Sequence, residues 1–181
     1  MIKSSFLHIA IILVLISSCS PKSNLITEQY EPSQEVSSYV VLVRHAEKGL
    51  SGDDPDLTKL GSKRAKALAK LMRPIDNVSV HSTDFNRTKQ TAQPTADAKS
   101  QPVQIYDARN PQQLFKTIRS EKGGKTFLVV GHSNSTPKLT RALDLKSDYS
   151  QLDESEYDKI FLVKFFEDGK VESKKLTFPP F

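Results

Sequence analysis

The chain has 181 residues, of which 37% are hydrophobic and 26% charged, a composition that fits one soluble globular domain with a polar appendage. Its net charge of +5 favours anionic partners, such as phosphorylated small molecules, phosphoproteins or an acidic membrane surface. The basic residues are spread out and are not interleaved with aromatic residues, which argues against nucleic-acid binding. No Cys/His cluster has the spacing of a metal site, so we expect neither a metal nor another cofactor.

Residues 1–18 are typical of a secretory signal peptide. A lysine precedes an apolar run from Phe6 to Ile16, which is too short to span a bilayer and ends in small residues. The only cysteine follows, and Ile16-Ser17-Ser18-Cys19 resembles the lipobox of bacterial lipoproteins. The resemblance implies that lipid on Cys19 anchors the protein in the bacterial cell envelope, at the outer membrane or facing the periplasm. The alternative is an ordinary signal peptide with an incidental cysteine.

A polar segment rich in Ser, Gln, Glu, Pro and Asn follows the cysteine and predicts a flexible tether over residues 19–38. The predicted folded domain is residues 39–181. Its first strand runs from Tyr39 to Val43 and is continuously apolar, which indicates a buried strand of a parallel sheet. Ligands of open α/β sheets bind beyond the carboxyl ends of the strands, so Arg44 and His45 either line a site or merely end the strand in solvent.

Farther along, Thr58 is the predicted N-cap of a helix that ends before Pro74. A short strand over Val78–Val80 leads to a second helix, with Asp84 as its predicted N-cap and Arg87 in its first turn. An arginine at that end opposes the helix dipole and is better tolerated if it faces a bound anion. The alternative is an ordinary surface arginine.

The remaining pattern predicts a third strand over Pro102–Ile105, a helix from Asn110, and a buried strand over Thr126–Val130 that runs into Gly131-His132. Strands over Ile160–Phe166 and Val171–Phe178 form a final hairpin. Strands alternating with helices indicate a mostly parallel α/β sheet. Its strand ends would bring two histidines and an arginine together, whereas His81 is expected to be a packed strand-end residue, with a place in the pocket as the alternative.

Four segments, residues 42–47, 56–61, 82–92 and 129–134, resemble in this order the motifs of the histidine phosphatase superfamily, which includes the cofactor-dependent phosphoglycerate mutases. The resemblance implies a three-layer α/β sandwich, with a mostly parallel central sheet flanked by helices. The small size is more similar to the compact phosphohistidine-phosphatase type than to the mutases, whose insertions this chain has no room for.

Carried over to this sequence, the resemblance implies that His45 is the nucleophile and that Arg44, Arg87 and His132 bind the phosphoryl group. Asp107, after the third strand, is the predicted proton donor, although the mutase pattern has a Glu in a longer segment. Glu47 is a second candidate, with an ion pair at the pocket rim as its alternative role. Asn134 is a further possible site residue.

The implied function is a metal-independent phosphatase, a phosphoric monoester hydrolase that acts on phosphomonoesters or phosphohistidine through a phosphohistidine intermediate. Two arginines and a second histidine would supply the positive charge that phosphoryl transfer requires. The alternative is a lipid-anchored protein that binds phosphorylated ligands with little or no turnover. We expect a monomer whose substrate is a phosphorylated small molecule or a phosphoprotein.

Overall fold

The computed structural model describes residues 36–121 and 123–181. Helices and strands alternate over most of this part of the chain, and two strands follow the last helix. In chain order the elements are β1 (Val36–Arg44), α1 (Lys59–Met72), β2 (Val78–Ser82), α2 (Asn86–Ala98), β3 (Val103–Ile105), α3 (Gln112–Ser120), β4 (Lys125–Gly131), α4 (Ser135–Leu143), β5 (Lys159–Phe166) and β6 (Val171–Thr177).

The six strands form one sheet in the order β3-β2-β4-β1-β5-β6. The first four strands of the chain are parallel, and the β5–β6 hairpin adds two antiparallel strands beside β1. The predicted mostly parallel sheet with a terminal hairpin is therefore confirmed. Because β5 runs against β1, the segment that precedes β5 lies at the same edge of the sheet as the carboxyl ends of the parallel strands.

Helices cover both faces of this sheet, as the predicted sandwich requires. Alternate residues of β1 point to opposite faces, so Val41 and Val43 belong to one apolar cluster, and Val40 and Leu42 to the other. The first cluster includes residues of α1 and α2, and the second includes residues of α3 and α4. The parallel strands are thus buried on both faces, which explains their continuous apolar sequences.

The first strand begins earlier than the sequence predicted. It starts at Val36, and Val36, Ser37 and Ser38 are all buried, so these three residues belong to the sheet and not to a tether. Two serines among them weaken the apolar pattern on which the predicted start at Tyr39 depended. Residues 1–35, with the signal-peptide and Cys19 predictions, lie outside the described residues. Within the described part, no helix is long and apolar enough to cross a membrane.

The two predicted helix caps differ in outcome. Thr58 is the N-cap of α1 and accepts a hydrogen bond from the Gly61 amide at 3.0 Å, as predicted. Asp84 is not the N-cap of α2; Phe85 holds that position, and Asp84 instead accepts a hydrogen bond from a lysine. The free amide of Asn86 donates to the carboxylate of Asp54, which comes from the loop after β1.

Candidate active site

A cleft of about 1100 Å³ opens at the carboxyl edge of the parallel strands. Five of the residues singled out from the sequence line it: His45, Arg87, Asp107, His132 and Asn134. The structure thus brings together residues that lie up to 89 positions apart in the chain.

His45 follows β1 directly and is almost fully buried. Its Nδ1 lies 2.8 Å from the carbonyl oxygen of Ala46, which can only accept, so Nδ1 carries the proton and Nε2 carries the lone pair. Burial, with smaller contributions from Arg44 and His132, lowers the pKa of His45 to about 4, although the bond to Ala46 raises it. The ring is therefore neutral at pH 7, the form in which histidine is a nucleophile.

Backbone contacts fix the position of this histidine. The His45 amide donates to the Gly131 carbonyl at 2.9 Å, and the Ala46 amide donates to Thr91 Oγ1 at 2.9 Å. A Cβ at position 131 would lie 2.9 Å from Ser135 Oγ, so a residue larger than glycine would require the neighbouring hydroxyl groups to shift. The motifs around residues 91 and 131 therefore hold the nucleophile in place as well as supplying groups to the cleft.

His132 follows β4, and its ring centroid lies 5.5 Å from that of His45. Its Nε2 lies 2.9 Å from Thr83 Oγ1, and that hydroxyl donates to Thr88 Oγ1 at 3.0 Å. The Thr83 oxygen is therefore left to accept, and His132 donates from Nε2. Burial and the nearby charges of Arg87 and Arg44 lower the pKa of His132 to about 4, so both rings are neutral at pH 7.

Arg87 lies in the first turn of α2 with only 14% of its side chain exposed. Its Nη1 is 3.2 Å from Asp54 Oδ1, and its guanidinium stacks 4.4 Å from the centroid of the Phe85 ring. Its buried Nε has no hydrogen-bond partner among the described residues. An unsatisfied cationic donor at a helix N-terminus favours a bound anion, which agrees with the interpretation of Arg87 from the sequence.

Arg44 is more deeply buried and is held by the segment before β5. Its Nη1 donates to the carbonyl oxygens of Asp153 and Glu154 at 2.9 Å each, and to that of Glu156 at 3.3 Å. Its Nη2 donates to Glu154 Oε2 at 2.6 Å, and its Cζ lies 4.1 Å from the centroid of the Tyr157 ring. Protein groups therefore occupy both Nη atoms of Arg44, its buried Nε has no hydrogen-bond partner among the described residues, and Arg44 does not line the cleft.

The two predicted carboxyl groups occupy different environments. Asp107 is exposed at the cleft, where its Oδ1 accepts from the Arg109 amide at 2.8 Å, and this bond lowers its pKa. Glu47 does not line the cleft. Burial raises the pKa of Glu47, but hydrogen bonds from Arg64, at 2.5 to 3.0 Å, outweigh that effect and lower it overall. Glu47 thus forms the ion pair that was its alternative role, and the role of Asp107 stays a prediction.

Asn134 and His81, also considered from the sequence, differ in whether they line the cleft. Asn134 is exposed at the start of α4 and makes no side-chain capping bond. His81 is buried in β2, with Nε2 3.2 Å from Ser79 Oγ and its ring against Phe127, and it does not line the cleft. Among residues 36–121 and 123–181, no group of three or more His, Cys, Asp or Glu side chains could hold a metal ion.

Glu154 is a cleft residue that the sequence did not predict. Its Oε2 contacts Arg44, and its Oε1 accepts a hydrogen bond from Ser133 Oγ at 2.7 Å. Most site residues predicted from the sequence lie just after the carboxyl ends of parallel strands, whereas Glu154 comes shortly before the amino end of β5. The one available signal was the final hairpin, because an antiparallel strand beside β1 brings its preceding segment to this edge.

The fold is that of the phosphoglycerate mutase-like class of α/β proteins. The chain is similar to phosphoglycerate mutase from Plasmodium falciparum, with 23% identity, a TM-score of 0.57 and coverage of 81% of this chain and 96% of that one. It is also similar to a mycobacterial glucosyl-3-phosphoglycerate phosphatase, with 14% identity, a TM-score of 0.62 and coverage of 77% of this chain and 97% of that one. A third similar structure is SixA from Agrobacterium tumefaciens, assigned as a phosphohistidine phosphatase, with 16% identity, a TM-score of 0.53 and coverage of 80% of this chain and 99% of that one.

The family model confirms the resemblance noted from the motifs. Residues 40–110 match the histidine phosphatase superfamily (branch 1), and this range includes Arg44, His45 and Arg87. None of the curated proteins matches this sequence.

Proposed function

We propose that this protein is a metal-independent phosphatase that hydrolyses phosphomonoesters or phosphohistidine through a phosphorylated His45. The observation that carries the proposal is the state of His45: a buried, neutral imidazole in the cleft, with Nδ1 held by the Ala46 carbonyl and the lone pair on Nε2. This arrangement suits a nucleophile that attacks phosphorus without first losing a proton.

The first chemical step transfers the phosphoryl group to His45. Nε2 forms a bond to phosphorus while the bond to the leaving oxygen breaks, and Asp107 is the predicted donor of the proton that this oxygen takes up. Arg87 carries the charge best placed for the phosphoryl oxygens, because its guanidinium lies in the cleft with an unsatisfied Nε. Arg44 and His132 complete the predicted phosphate-binding set.

The substrate class follows from the size and charge of the cleft. A volume of about 1100 Å³ accommodates much more than a phosphate ion, which suits a phosphorylated small molecule or a phosphorylated side chain of a protein. Three further basic side chains line this cleft, and they favour anionic substrates: Lys48, Arg109 and Lys138. One of the similar structures is a phosphatase named for glucosyl-3-phosphoglycerate.

We also propose that the protein acts in the bacterial cell envelope, anchored by lipid on Cys19. The support is the lipobox-like segment ending at Cys19 and the signal-like run before it. Expression with a radiolabelled fatty acid tests this: the wild-type chain should become labelled and partition into detergent, and a Cys19→Ser variant should do neither. A wild-type chain that remains in the aqueous phase would contradict the anchor.

Trapping the phosphoenzyme tests the proposed chemistry. Brief incubation of the protein with a labelled phosphomonoester should leave acid-labile, alkali-stable label on the chain, and His45→Ala should remove both the label and turnover. Asp107, the predicted proton donor, is exposed and pairs with Arg109. This position favours a second candidate function, a protein that binds phosphorylated ligands without hydrolysing them. Such a protein would bind phosphate and form no phosphoenzyme.

A further inference from the structure

Glu154 connects the two neighbours of the histidine pair. Its Oε2 lies 2.6 Å from Nη2 of Arg44, the residue before His45, and its Oε1 lies 2.7 Å from Oγ of Ser133, the residue after His132. The carboxylate also lines the cleft that contains both rings. Both of its oxygens are therefore oriented by residues next to the proposed nucleophile and its partner.

The segment that carries Glu154 is itself held against the nucleophile. The Tyr157 ring centroid lies 6.1 Å from that of His45, and three backbone carbonyls of residues 153–156 bind Arg44. These contacts do not involve the Glu154 carboxylate, so the segment keeps its main attachment to Arg44 when that carboxylate is changed. The side chain is 71% exposed, which gives water access to it.

Position distinguishes Glu154 from the other carboxyl groups discussed for this site. The hydrogen bond from Ser133 and the positive charge of Arg44 lower the pKa of Glu154, so it is ionised at neutral pH. An ionised carboxylate is a competent proton acceptor. Glu47 is held by Arg64 outside the cleft, and Asp107 is bound to its own turn through Arg109.

We propose that Glu154 is the general base of the second step, in which water releases the phosphoryl group from His45; this rests on the proposed phosphatase function. The water oxygen forms a bond to phosphorus, and the bond from phosphorus to His45 Nε2 breaks with its electron pair returning to the ring. The Glu154 carboxylate accepts the proton that the water loses. The products are inorganic phosphate and neutral His45, and Glu154 then returns its proton to solvent through its exposed face.

The substitution Glu154→Gln tests the proposal, because it removes the basic carboxylate with little change in size. With p-nitrophenyl phosphate, rapid mixing should show a burst of p-nitrophenol close to one per chain, followed by turnover slowed by a factor of about 10² to 10³. Phosphorylated enzyme should accumulate in samples quenched with alkaline detergent, in which phosphohistidine is stable, while the burst rate stays within about threefold of wild type. Loss of the burst, or turnover at the wild-type rate, would overturn the role.

Three further variants separate this role from a structural one. Glu167→Gln, with the same loss of charge in the exposed β5–β6 turn, should behave as wild type. Ser133→Ala removes the hydrogen bond that orients Glu154, and it should slow phosphoenzyme breakdown about tenfold without changing its formation. His45→Ala identifies the cause of a failure: hydrolysis by that variant refutes the proposed function, whereas wild-type breakdown rates in Glu154→Gln and Ser133→Ala refute only the role of Glu154.

Discussion

The parallel strand ends and the segment before antiparallel β5 contribute opposite chemistry to the cleft. The parallel side supplies a neutral nucleophile at His45 and a partly free cation at Arg87. The segment before β5 supplies carbonyl oxygens and the carboxylate of Glu154, all directed at Arg44. Both arginines have a buried Nε without a hydrogen-bond partner among the described residues, but only Arg87 lines the cleft, whereas Arg44 joins the two halves of the site.

Separate replacement of Arg87 and Arg44 tests whether the first serves mainly the ligand and the second also stabilises the fold. We expect Arg87→Ala to lower kcat/KM by a factor of about 10² to 10³, the usual loss for a group that stabilises a phosphoryl transition state. Its free energy of unfolding should change by less than about 1 kcal/mol, because Arg87 pairs with a carboxylate that is 38% exposed. Steady-state kinetics and urea unfolding measure the two quantities.

Arg44→Ala should differ by losing stability as well as activity. Its buried guanidinium donates to three backbone carbonyls and a carboxylate, so truncation removes these bonds and leaves a space under the segment before β5. We expect the free energy of unfolding to fall by about 3 kcal/mol. Equal stability losses in the Arg44 and Arg87 variants would break the comparison, because they would show that the segment before β5 does not depend on Arg44.

Asp107 and Glu154, two of the acidic residues that line the cleft, should act on different steps. If Asp107 protonates the leaving oxygen, Asp107→Asn should slow hydrolysis of an alkyl phosphate about 10²-fold and leave p-nitrophenyl phosphate nearly unaffected, because p-nitrophenolate leaves without protonation. Single-turnover phosphorylation rates with the two substrates measure this. Equal losses on both would remove Asp107 from proton transfer and leave Glu154 as the carboxylate with a chemical role.

Acid should destabilise the parallel side of the sheet through its histidines. Burial lowers the pKa of His45, His81 and His132 to about 4, below the ordinary 6.5. Between pH 6.5 and 4 the unfolded chain therefore binds more protons than the folded one. The contribution of these histidines to the free energy of unfolding is fully present above pH 6.5 and is lost as the pH decreases toward 4. The expected loss is about 3 kcal/mol for each buried ring.

His81→Gln isolates one contribution to this pH dependence without touching the cleft. Urea unfolding at pH 7, 6 and 5 should show that the free energy of unfolding decreases less steeply with pH in this variant than in wild type. The kcat/KM of the variant at pH 7 should stay within a few-fold of the wild-type value. An unchanged slope would mean that His81 is not the buried neutral ring that the structure shows.

The sequence predicted much of the fold and several residues of the cleft. Continuous apolar runs ending at Arg44-His45 and Gly131-His132 predicted the central strands and placed both histidines at one edge of the sheet. Strand limits were less certain where serines interrupt the pattern, as at Ser37 and Ser38. The cap of α2 was wrong because the carboxylate that serves it, from Asp54, lies 32 positions earlier in the chain.

Local hydrophobic patterns and the order of the elements were enough to predict which residues stand at the carboxyl ends of the parallel strands. The contacts of those residues depend on the packing of the folded chain. The occupation of Arg44 by the segment before β5, the pairing of Glu47 with Arg64, and the place of Glu154 between Arg44 and Ser133 all depend on how distant segments pack. The antiparallel direction of β5 is the physical reason, because it brings to the cleft a segment that no strand end marks in the sequence.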